Sequence, residues 1–203
     1  MKPLFSLPPT TPATPQTTQG FALSRSRYLP QQRIGKHLIH PANAAELLAQ
    51  LPAPGHVLHT VVKGDFILND LITAIVRKTG PCPRLTVGTL SMNPENAREL
   101  RKLLDAALVG GITMLISDYF FRTSRDAVEE CFQILPSPVT TWIKTRSHVK
   151  IALIPSGSNS YVLHGSANLR SSANLENLTI ENDRALLDWH QGWIDELQTT
   201  KNL

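Results

Sequence analysis

Residues 148–176 read HVKIALIPSGSNSYVLHGSANLRSSANLE, and the rest of the chain is best understood outward from this stretch. Two apolar runs, 148–155 and 161–164, flank the segment Ser156, Gly157, Ser158, Asn159, a composition that predicts a hairpin. On a strand, His148 and Lys150 are two residues apart and project from the same face. An imidazole beside an ammonium group is a poor choice for a core and a sensible one for a phosphate. The ring can attack phosphorus, and the lysine neutralises its oxygens. After the second run comes Gly165-Ser166-Ala167-Asn168. The glycine permits close backbone approach, while the hydroxyl and the amide offer uncharged donors to phosphate oxygens. Glu176 supplies a carboxylate able to hold a histidine ring in one tautomer. Glu181 lies nearby, and the sequence alone does not choose between the two acids.

Upstream, RLTVGTLSM (84–92) reads as a buried strand and NPENARELRKLLDAALVGG (93–111) as a helix. Asn93 is the expected N-cap, Pro94 the first helical residue and Gly110–Gly111 the stop. ITMLISDYF (112–120) is a second buried strand, and strand–helix–strand implies a parallel pair. A helix over 124–135 and a strand over 139–144 lead into the hairpin, and DRALLDWHQGWIDEL closes the chain as an amphipathic helix. Before these come a short helix at AAELLAQL (44–51), a strand at HVLHTVVK (56–63) and a helix over 65–80 ending at Gly80. The expected fold class is α/β: a mixed, largely parallel β-sheet flanked by helices.

His148, Lys150, Gly165, Ser166, Asn168 and Glu176 together resemble the signature of the phospholipase D superfamily: His-x-Lys, an Asp five residues after the Lys, then Gly-Ser-x-Asn and a downstream Glu. The strand–helix–strand over 84–118 is similar to the unit that opens the catalytic region of small bacterial members, which places Ser91 near the substrate. The resemblance spans about residues 84–194. It implies phosphodiester hydrolysis through a phosphohistidine, without a metal or other cofactor. Such chemistry needs two histidines facing one phosphate, and only one set occurs here. The economical answer is a homodimer that shares one site. One departure is plain: Pro155 stands where the signature has Asp, which leaves open a catalytically weak dimer that binds nucleic acid.

Composition sets bounds on this reading. Five bases and no acid fall within residues 1–45, while residues 46–203 hold 15 bases against 16 acids. The first 35 residues, rich in Pro, Thr, Gln and Ser, read as a disordered basic arm. Residues 36–83 read as an N-terminal addition, 84–197 as the catalytic domain and 198–203 as a tail. MKPLFSLPP lacks the continuous apolar core of a secretory signal, and no apolar run has bilayer length, so a cytoplasmic protein is expected. Cys82 and Cys131 lack metal-site spacing and read as reduced structural thiols. Arg122, Arg125, Lys144, Arg146 and Arg170 fall near the expected catalytic edge. They favour a nucleic acid over a membrane lipid as partner, with phospholipid hydrolysis as a third reading. His164 and Arg170 are secondary site candidates. His190, Trp189 and Trp193 read as the packing face of the last helix.

Overall fold

Apolar residues alternate along the strands and face two separate cores. In the computed structural model, which describes residues 32–35, 48–49, 51–63, 68–170 and 174–200, eight strands form one sheet. They are β1 (Gln32–Gly35), β2 (His56–Lys63), β3 (Leu85–Thr89), β4 (Ile112–Ser117), β5 (Thr140–Thr145), β6 (Ile151–Ser156), β7 (Asn159–Gly165) and β8 (Leu175–Asn182), in the order β1-β2-β8-β7-β6-β3-β4-β5. Five helices complete the described residues: α1 (Leu68–Thr79), α2 (Pro94–Asp105), α3 (Asp118–Thr123), α4 (Arg125–Ile134) and α5 (Arg184–Thr200).

Met114 and Ile116 of β4, Ala152 and Ile154 of β6, and Leu163 of β7 meet Leu71, Ile72 and Ile75 of α1, Leu100 and Leu103 of α2, and Val128 of α4. Their neighbours Leu115, Ile151, Leu153 and Val162 face the other way, against Leu187 and Ile194 of α5. The sheet is thus sandwiched between helices. Each fully buried Leu or Ile contributes about 1.5–3 kcal/mol of transfer free energy, so the two cores together supply the main force holding the layers in register.

The sheet is mixed, as expected. Its parallel pairing is confined to β1–β2 and β3–β4–β5, and the other pairs are antiparallel. Asn93 caps α2 through a reciprocal capping box with Asn96, as its sequence suggested. The helix stops at Asp105, before Gly110–Gly111, because Ala107 turns the chain with φ 53°. Gly80, with φ 92°, ends α1 at the expected place. There Ser156 Oγ donates to the carbonyls of Thr79 and Gly80 (3.0 and 3.2 Å), tying the end of β6 to the end of α1.

Three sequence expectations change. Gln32–Gly35, within the stretch expected as an unstructured arm, pairs with β2. Residues 36–83 contribute β2 to the same sheet and α1 to the same core as residues 84–197. The segment 175–182, given no strand from sequence, forms β8 between β2 and β7. Residues 1–31, and most of the helix expected at 44–51, lie outside the described residues. No described helix is long and apolar enough to cross a membrane.

Candidate active site

β3, β4 and β5 run parallel and end at one edge of the sheet. β6 runs antiparallel to β3 and begins at that edge, β7 ends there, and β8 begins there. Ligands of α/β sheets gather beyond the carboxyl ends of such strands. His148 and Lys150 precede β6, Ser166 and Asn168 follow β7, Glu176 opens β8 and Ser91 follows β3. Topology therefore brings to one edge residues that lie as far apart in sequence as 91 and 176.

The loop after β7 is pinned from three sides. Leu169 is fully buried in the main core. The Leu169 N–H donates to Thr89 Oγ1 (3.2 Å), whose own hydroxyl donates to the Ser91 carbonyl (2.8 Å). The Leu90 N–H donates to Asn168 Oδ1 (3.2 Å), which leaves the amide NH2 of Asn168 as a donor. On the other side, the Ser166 N–H donates to the Asn177 carbonyl (3.0 Å), and the Asn177 N–H donates to Ser166 Oγ (3.1 Å). Ser166 Oγ in turn donates to Glu176 Oε2.

His148 is exposed in the segment between β5 and β6, and its ring makes no hydrogen bond among the described residues. The Val149 N–H donates to Ser147 Oγ (3.1 Å), and Lys150 Nζ donates to the His148 carbonyl (2.8 Å), bracing the segment from both ends. Beside His148 opens a groove of about 610 Å³ lined by Ser117, Asp118, Tyr119, Arg122, Arg146, Ser147 and His148. Within it, Asp118 pairs with Arg122 and lies 3.9 Å from Lys144 Nζ.

No family model matches the chain, and no curated protein matches it. Solved structures do. Nuc, a phospholipase D family member from Salmonella typhimurium, superposes with a TM-score of 0.50 over 72% of this chain and 95% of its own, at 15% identity. The chain has a phospholipase D-type fold. The phosphatidylserine synthase of Haemophilus influenzae aligns with a TM-score of 0.49 over 70% of this chain and 38% of its own, at 16% identity.

Within this phospholipase D-type fold, most of the residues singled out from sequence lie along the one edge, with three differences of detail. His148 and Lys150 stand just before the strand instead of on it, because β6 pairing with β3 starts only at Ile151 opposite Gly88. The Ser166 proton is directed to Glu176, so the hydroxyl is engaged within the loop, and Glu176 holds Ser166 and not His148 in the single chain. His164 is tied to the other acid, Glu181, through a 2.7 Å contact from Nε2 to Oε1. Arg170 is exposed in the loop between β7 and β8.

Pro155 pairs with Ser160 near the far end of β6. Four residues of strand rise, about 13 Å, separate it from the Ile151 end. Ser117, Asp118 and Tyr119, which line the groove, were missed from sequence. Their signal was position, at the end of a buried parallel strand and in the first residues after it. His190 accepts a hydrogen bond from Trp193 Nε1 (3.1 Å). Burial first, and the neighbouring His164 second, push its pKa down to about 4, against a smaller opposing effect of Glu181.

Proposed function

We propose that this chain is a phosphodiesterase acting on nucleic acid without a metal, in a site shared by two copies of the chain. The observation that carries the proposal is the convergence of His148, Lys150, Asn168 and Glu176 on the edge where the parallel strands end. The fold likeness to Nuc supports it.

In this reading His148 of one subunit attacks phosphorus through a neutral ring nitrogen, and the bond from phosphorus to the leaving oxygen breaks. His148 of the partner subunit, protonated, gives its proton to that oxygen. It then takes a proton from water, and the resulting hydroxide attacks phosphorus and breaks the P–N bond. Lys150 from each subunit neutralises the non-bridging oxygens, and the Asn168 NH2 donates to them. The exposed ring of His148 suits a site completed by a second subunit, since among the described residues of one chain only one histidine precedes β6 at this edge beside a lysine. Glu176 steadies the loop that carries Asn168 by holding Ser166. Pro155, at the far end of β6, leaves this set intact, which favours catalysis over binding alone.

The test is cleavage of labelled DNA and RNA in the presence of EDTA, with His148→Ala beside the wild type. Cleavage by the wild type, reduced at least about 10²–10⁴-fold in the variant, supports the reading, that range being what a general acid–base group contributes. Binding without cleavage in both proteins identifies a nucleic-acid-binding module instead. Release of head groups from phospholipid vesicles, with nucleic acid untouched, identifies a lipid hydrolase.

A further inference from the structure

The groove beside His148 contains an aromatic ring and a cation that the reaction above does not use. Tyr119 is 67% exposed, while Phe120 next to it is buried and Phe121 packs toward Phe132, with centroids 6.0 Å apart, and under Lys144. The short helix α3 is therefore held by its inner aromatics. Its start is capped where Ser117 Oγ accepts from the Tyr119 N–H (3.2 Å), and Thr123 Oγ1 donates to the Tyr119 carbonyl (2.9 Å). Tyr119 is thus a large ring on a braced backbone, turned outward along one wall of the groove. Arg146, which lines the same groove, is exposed just after β5 and forms no ion pair among the described residues. Arg122 is neutralised by Asp118.

We propose that this groove receives the base of the nucleotide adjoining the reacting phosphate, stacked on Tyr119, with Arg146 against a backbone phosphate, so that the substrate is single-stranded nucleic acid. The inference rests on the proposed phosphodiesterase reading and specifies its substrate. Three observations carry it. The groove volume of about 610 Å³ lies within the span of small-ligand clefts. Arg146, which lines the groove and forms no ion pair among the described residues, offers a cation to the adjoining phosphate. Tyr119 and His148 line the same groove, so a base on the ring belongs to a nucleotide near the reacting phosphate. A base inside a duplex is stacked on its neighbours and cannot lie on Tyr119, whereas an unpaired strand offers a free π-face at every residue.

The experiment measures binding by fluorescence anisotropy of two labelled chains of equal length and charge. One is oligothymidylate and the other consists of abasic residues. The full-length wild type is compared with Tyr119→Ala and Tyr119→Phe. The wild type is expected to bind oligothymidylate more tightly than the abasic chain. Tyr119→Ala should lose about tenfold on oligothymidylate, the cost of one base–aromatic stack, with the abasic chain unchanged, while Tyr119→Phe keeps the wild-type preference. An unlabelled duplex of the same length should compete less well than the single strand. Equal wild-type affinity for both chains, or failure to bind either, overturns the proposal, as does an equal loss on both in Tyr119→Ala or equal competition by the duplex. Cleavage is not read in this assay, so a wild type that binds as predicted yet cuts nothing refutes the proposed reaction and leaves the base site standing.

Discussion

Gly165 shows how narrowly the site tolerates change at the residue scale. A Cβ there would lie 2.1 Å from the Asn177 carbonyl oxygen, which is backbone and cannot swing aside. Gly165→Ala is expected to lower stability by about 1–3 kcal/mol, the usual cost of overpacking, and to displace the loop that carries Asn168. Urea unfolding checks the first effect, and activity at a temperature where the variant is folded checks the second. Lys150 is solvent-accessible enough to replace without such damage. Lys150→Met keeps an unbranched stem of similar length and removes the charge and the donor, and kcat is expected to fall about 10²–10³-fold with the melting temperature unchanged, as on removal of one transition-state donor. A lowered melting temperature would instead assign Lys150 a structural role through its bond to the His148 carbonyl.

Among the elements, α2 and α5 make separable predictions. Asn93→Ala removes the capping box of α2 and should cost about 1 kcal/mol in thermal or urea unfolding. On α5, His190 has a folded pKa of about 4, below its ordinary value, with His164 and Glu181 as the charged neighbours that bear on it. The unfolded chain therefore binds the proton more readily. Stability is complete above the unfolded value, near 6.5, and declines as pH falls from there toward 4. His190→Gln should flatten that part of the melting-temperature profile, and identical profiles for the two proteins would remove His190 as the cause. These elements also show what the sequence made visible. α2, β3, β4 and the β6–β7 hairpin announced themselves by caps, buried apolar runs and a Gly-Ser turn. β8 did not, because LENLTIEN carries Asn and Glu where strands favour β-branched residues. Asn182 is buried and serves as a clasp, its Oδ1 accepting from the Ser160 N–H (2.9 Å) and its Nδ2 donating to the Pro52 carbonyl (2.9 Å). Such a use of polarity becomes legible only with the partner strands in place. His148 and Lys150 were found by spacing, but their position before β6 depended on where pairing with β3 begins, which is a tertiary fact.

On the scale of the whole molecule, a single chain presents one His148 at the edge of an eight-stranded sheet, and the proposed reaction needs two. Val149, 36% exposed between His148 and Lys150, and Leu175, 63% exposed beside Glu176, give this edge the apolar points that a self-complementary contact requires. Sedimentation is expected to show a dimer. A purified heterodimer of one wild-type and one His148→Ala subunit should be as inactive as the doubly substituted protein, whereas half of the wild-type rate would indicate independent sites. Arg146→Ala should weaken nucleic-acid binding uniformly across sequences and lower the salt slope by about 1. The claim on which all of this depends is that an imidazole of this chain becomes bonded to phosphorus. Rapid quenching of the wild type during turnover of a 32P-labelled phosphodiester, followed by peptide mapping under alkaline conditions, tests it directly. The account predicts acid-labile label on the peptide that contains His148, and none in His148→Ala. Turnover with no label on any histidine, or label that persists in that variant, would contradict it.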